Sequence, residues 1–143
     1  MSLHRISLEE FAVDARLGNF PEASPAQRLV LRLIDGQPPA DAQQARLFVK
    51  IAGRSWRKDL ATPRRVVALI LGASSGKSLM AALWLVHRAL LASLKGLRPG
   101  QRGTGVLVAP DTRLATIPLR YAKGILNESP ILRQELEARR RTR

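Results

Sequence analysis

Between the apolar run Val66-Val67-Ala68-Leu69-Ile70-Leu71 and a long helical pattern stands Gly72-Ala73-Ser74-Ser75-Gly76-Lys77-Ser78, and no other stretch limits so narrowly what this chain can become. Strand, glycine turn and helix in that order are the setting of a phosphate-binding loop. Small residues let consecutive backbone N–H groups converge on phosphate oxygens, a lysine reaches the β and γ phosphates, and a hydroxyl takes magnesium. Lys77 and Ser78 fill the last two roles. The helix that starts here also points the positive end of its dipole at the anion. The expected ligand is ATP with magnesium, held by Gly72, Ala73, Ser74, Ser75, Gly76, Lys77 and Ser78, with Ser78 reaching the metal through the nucleotide.

The spacing departs from the usual loop, in which the first glycine lies five residues before the second. That position is Leu71, and the first glycine falls one residue later, at Gly72. The alternative is a plain turn between two buried elements, with Lys77 solvated.

A chain of 143 residues with 45% hydrophobic content is long enough for one domain with a modest core. With no cysteine there is no disulfide framework and no thiolate chemistry, which fits a reducing cytoplasm. Two unclustered histidines, His4 and His87, make zinc a poor expectation, and His87 reads as a packed side chain. Residues 1–6 carry no secretory signal. The only apolar stretch of membrane length, residues 66–86, is broken by Lys77 and the Gly-Ala-Ser-Ser-Gly turn, so no membrane span is expected.

A formal charge of +13 points to polyanionic partners, and double-stranded DNA bound through its phosphates is the expected one. The basic residues gather at Arg54, Arg57, Lys58, Arg64 and Arg65, at Lys95, Arg98 and Arg102, and at Arg139, Arg140, Arg141 and Arg143. Solvated surface is the ordinary alternative for such runs.

Two segments are expected: residues 1–62, helical, and residues 63–143, an α/β unit. In the first, Ser7 with Glu10 makes a capping box for a helix carrying Leu8, Phe11 and Ala15 that stops at Gly18. Ser24-Pro25 opens a second helix with Leu29, Leu33 and Ile34, ending at Gly36. A third runs from about Asp41 to Ile51, with Gly53 as its stop. In the second segment, residues 66–71 read as a strand buried on both faces, residues 78–95 as a helix with two apolar stripes, and residues 106–109 as a second buried strand. Together they predict a right-handed parallel crossover, a partial P-loop NTPase core. Residues 111–127 look helical with Pro118 inside, so the helix either kinks there or begins there. Ser129-Pro130 caps a last helix over 131–140.

Hydrolysis needs a carboxylate at the end of another strand to hold magnesium and orient water. After Ser78 only Asp111, Glu128, Glu135 and Glu137 remain, and Asp111 reads better as a helix N-cap.

These residues resemble the ATPase domain of the phage terminase large subunit, the motor that packages DNA into viral heads. Its members commonly carry Gly-Arg-x-Ser-Gly-Lys-Ser/Thr, with the first glycine four residues before the second, and residues 72–78 match that spacing. Residues 106–109 with Pro110-Asp111 look like the second sheet strand and its turn, and residues 121–130 like the helix and Ser-Pro break that follow. Ser24-Pro25-Ala26-Gln27 is similar to the segment whose glutamine contacts adenine, which implies that role for Gln27. The likeness covers most of residues 20–136. It implies an ATP-binding N-terminal part of a DNA-packaging motor in the cytoplasm of a bacterial host. The remaining terminase segment, the small terminase subunit and the portal would then be further partners. The family's loop arginine is Ala73 here, and its acidic second motif and nuclease domain should lie beyond Arg143, so this piece is expected to be incomplete and not hydrolytic alone. A non-catalytic basic DNA-binding protein, or a decayed prophage remnant, is the alternative. A small P-loop kinase is disfavoured because no acceptor or lid segment is found.

Overall fold

In a computed structural model of the chain, residues 6–68, 70, 72, 74–91, 101 and 103–141 are described, with the side chains of 135, 136 and 138–141 left aside. Among the described residues six α-helices form: α1 Leu8–Val13, α2 Pro25–Ile34, α3 Ala42–Ala52, α4 Lys77–Leu91, α5 Thr112–Glu128 and α6 Pro130–Arg141, with a short 3-10 turn at Lys58–Leu60.

Local chemistry starts most of them. The expected capping box closes α1, Glu10 N–H donating to Ser7 Oγ at 3.2 Å and Ser7 N–H to Glu10 Oε2 at 2.9 Å. Earlier than expected, α1 stops at Val13. Residues 14–18 turn back instead, and Gly18 N–H donates to Phe11 O at 2.9 Å. Ser24 caps α2 with Pro25 at the first position, and Gln27 completes a second capping box. Asp41 caps α3, which ends at Gly53 in the left-handed conformation. Asp111 caps α5, its Oδ1 accepting from Leu114 N–H at 2.8 Å. That helix begins at Thr112 and runs through Pro118, so it does not begin at the proline.

The helices bury one another. Packing pairs α4 most extensively with α5, α1 with α2 and α4, α2 with α3, and α5 with α6. Leu8, Phe11 and Leu17 from the first turns, Leu31 of α2, Met80 and Leu83 of α4 and Leu132 of α6 are fully buried in one cluster. Each such side chain contributes about 1.5–3 kcal/mol relative to exposure. The cluster thus takes members from both sides of residue 62. Polar ties fasten the same region: Leu8 N–H donates to Asp35 Oδ2 at 2.6 Å, Arg32 pairs with Glu9 at 2.6 Å, and His87 Nε2 meets Ile6 O at 2.9 Å.

One expectation is overturned. The structure is 58% helix and contains no strand among its described residues, so the α/β core, with strands at 66–71 and 106–109 joined as a parallel crossover, is not what forms. Of the first run, 69 and 71 lie outside the described residues. Val66 is 87% and Ile70 99% exposed, and in the second run Val106 is 73% and Val108 91% exposed. The physical reason is pairing. A buried strand requires a neighbour for its N–H and C=O groups, and two short runs alone make too small a sheet to be stable. Helix α4, expected to lie on that sheet, is covered by α1 and α5 instead.

Candidate functional site

Gly76 is where the loop gives way to α4. It adopts φ +83°, a region that L side chains avoid, and Ser74 two residues earlier is also left-handed at φ +57°. The two inversions fold residues 74–76 into a tight turn. Met80 N–H closes the first helical bond on Gly76 O at 2.9 Å. The N–H groups ahead of it are those that no helix can satisfy internally.

Gln27 holds this turn from the side. Its Nε2 donates to Ser75 O at 2.9 Å and its Oε1 accepts from Ser24 N–H at 2.8 Å, so one amide joins the start of α2 to the crest of the loop, 48 residues away. A Cβ added to Gly76 would meet Gln27 Nε2 at 2.8 Å. Glycine at 76 is therefore favoured by its dihedral, and a side chain there would also displace the Gln27 amide from Ser75.

Lys77 opens α4 with an exposed side chain whose Nζ donates to Gly72 O at 2.7 Å, folding the ammonium back over the loop. Ser78, half-buried, follows it. Ser75 Oγ is buried and has no hydrogen-bond partner among the described residues. Ser74, Ser75, Gly76, Lys77 and Ser78 line a cavity of about 480 Å³ together with Gln27, Phe20, Leu79, Ile117 and Tyr121. Its volume is in the range of small-molecule sites.

Of the residues expected to form the site, the structure brings Gln27 and residues 74–78 to one cavity. Gly72 accepts the Lys77 hydrogen bond, and Ala73 lies outside the described residues. Gln27 arrives with each end of its amide engaged by the chain itself. The sequence reading missed Phe20, Ile117 and Tyr121 as lining residues. The signal for the last two was present, since Ile117, Tyr121 and Ile125 share one face of a helix at four-residue spacing. For Phe20 there was none, because it lies in an irregular turn.

Asp111 is engaged at the start of α5. Among the described residues no group of three His, Cys, Asp or Glu is placed to hold a metal ion. Around residues 54–65 the basic side chains of Arg54, Arg57, Lys58 and Arg65 are exposed and Arg64 is half-buried, while Lys95, Arg98, Arg102 and Arg143 lie outside the described residues. No described helix is long and apolar enough to cross a membrane. In comparisons with protein-family models, curated proteins and solved structures, no match to this chain was found.

Proposed function

We propose that this chain binds magnesium-ATP at residues 72–78, and that it serves as the N-terminal, nucleotide-binding part of a DNA-packaging ATPase like the phage terminase large subunit, in the cytoplasm of a bacterial host. The observation that carries the reading is the cavity lined by Ser74, Ser75, Gly76, Lys77 and Ser78 at the start of α4. It rests on the loop and not on a sheet.

The chemistry follows from the residues. Backbone N–H groups at the start of α4 would meet a bound phosphate with the helix dipole behind them. Lys77, now on Gly72 O, would exchange that carbonyl for the β and γ phosphate oxygens, a charge-assisted bond that is the stronger of the two. Ser78 would present its hydroxyl to magnesium, and the orphaned Ser75 Oγ is a further donor toward phosphate. Gln27 keeps the turn in shape.

Titration calorimetry tests this. Lys77→Ala is expected to weaken magnesium-ATP at least about tenfold, the loss of one charge-assisted contact of roughly 1.5–3 kcal/mol. Equal affinity in wild type and variant would sink the proposal. Phosphate release is expected to be negligible in the same preparation. Turnover near about 1 per second, ordinary for phosphoryl transfer, would reveal a carboxylate site that this reading lacks.

A second reading, a basic DNA-binding protein without catalysis, is favoured by the exposed Arg54, Arg57, Lys58 and Arg65 and by the net charge of +13. Either way the duplex would be held through its phosphates, without sequence preference. Affinity should fall steeply as salt rises, and an affinity that hardly moves between roughly 50 and 200 mM salt would contradict a phosphate-dominated mode.

A further inference from the structure

The cavity at the loop has an aromatic wall that the loop motif does not explain. Of the chain's three Phe, two Trp and one Tyr, Phe20 and the sole tyrosine, Tyr121, line the same cavity as residues 74–78. Tyr121 is 45% exposed although its neighbour Ala122 is buried, so the phenol ring reaches open space while the helix behind it is anchored. It also lines an adjoining cavity of about 530 Å³, which shares Leu79 and Ile117 with the first. The ring therefore stands at the junction of two spaces, one walled by the loop and one running along α5.

We infer that Tyr121 is the base-stacking residue of the site, holding the aromatic ring of a nucleoside triphosphate whose phosphates lie in the loop; this rests on the nucleotide reading proposed above. Phosphates need donors and charge, which the loop supplies, whereas a base needs a flat apolar surface. An exposed aromatic ring offers one, by offset or edge-to-face packing. Gln27 is the other polar candidate for the base, and its amide is committed at each end to Ser24 and Ser75. Recognition by a ring face is tolerant of base identity, because every base has a π-face. ATP and GTP are therefore expected to bind within a few-fold of each other.

The test is calorimetry on the full chain with magnesium-ATP and with inorganic triphosphate, which has the phosphates and no base. Wild type is expected to bind ATP more tightly than triphosphate. Tyr121→Ala is expected to weaken ATP by about 5- to 150-fold, the range for one stacked base, while leaving triphosphate unchanged. Tyr121→Phe should keep ATP affinity within about twofold, since the ring face remains. ATP affinity unchanged in Tyr121→Ala would overturn the stacking role and leave the loop reading intact. Equal losses of ATP and triphosphate would mark a structural role and overturn it as well. Should Tyr121→Ala not fold, the wild-type comparison decides: ATP binding no tighter than triphosphate removes any place for a stacked base. Wild type binding neither ligand would bring down the loop reading itself, and this inference with it.

Discussion

His87 shows how much one buried side chain can make stability depend on pH. Burial pushes its pKa below the ordinary 6.5; the Ile6 carbonyl and the Asp35 charge pull it back up, and Arg88 adds to the lowering. A carbonyl only accepts, so Nε2 carries the proton toward Ile6 O, and Nδ1 is buried with no partner among the described residues. Phe11 lies beside the ring, centroids 5.4 Å apart. Protonating Nδ1 would set a charge against that apolar wall. With the folded pKa below the unfolded value, the unfolded chain takes up a proton first as pH falls, so His87 stabilises the fold above about pH 6.5 and progressively less below it. The carboxylates of Glu10 and Asp14 are likewise held below the ordinary carboxylate range, by hydrogen bonds from Ser7 and Arg16 respectively, so they lose their contribution only as acid protonates carboxylates. Urea midpoints are thus expected to fall between about pH 7.5 and 5.5, and His87→Gln should flatten that slope because Gln keeps a donor and does not titrate. A slope of the same size in His87→Gln would assign it to another group.

At the scale of an element, α5 carries its own defect. Pro118 sits inside a helix of 17 residues and has no N–H for the Leu114 carbonyl one turn earlier. Pro118→Ala restores that bond and removes the ring clash, so it is expected to stabilise the chain by about 1–3 kcal/mol in a denaturant titration. A neutral or destabilising result would mean that Pro118 makes native contacts worth as much as the hydrogen bond it removes. The helices were legible in the sequence because their ends are written locally. Ser7 with Glu10, Ser24 with Pro25 and Ser129 with Pro130 each fix a helix start within a few residues of chain, and Asp41 and Gly53 mark the two ends of α3. Apolar runs are written less clearly. Residues 66–71 and 106–109 have strand composition, yet a strand exists only if another backbone lies beside it, and no local residue reports that. The loop was legible as a pattern, and Gln27 only through its likeness to a motif. That Gln27 would grip Ser75 O depends on where α1 sets α2 and α4, which follows from the cluster that Leu8 and Phe11 share with Leu31, Met80 and Leu83 and not from spacing.

For the molecule as a whole, the two apolar runs contribute little to the core: of their described residues Val67 packs against it, while Val66, Ile70, Val106 and Val108 are exposed. Ile70 and Val108 face water almost completely, so Ile70→Lys and Val108→Lys are expected to change unfolding free energy by no more than about 0.5 kcal/mol. They should also reduce self-association at high concentration, since apolar side chains left in water are what associating copies cover. A loss of about 2 kcal/mol or more would show that these side chains are buried and that the helical picture of this region is wrong. The core itself gathers around residues 6–18. Ile6 receives His87, Leu8 N–H reaches Asp35, and the Arg16 carbonyl accepts from Ser129 Oγ across 113 residues of chain. Read against the clock of synthesis, the part made first is completed last. At about 5–20 residues per second, Arg16 waits roughly 6–23 s for Ser129, and until then Leu8 and Phe11 have α2 and α4 to pack against but not Leu132 of α6.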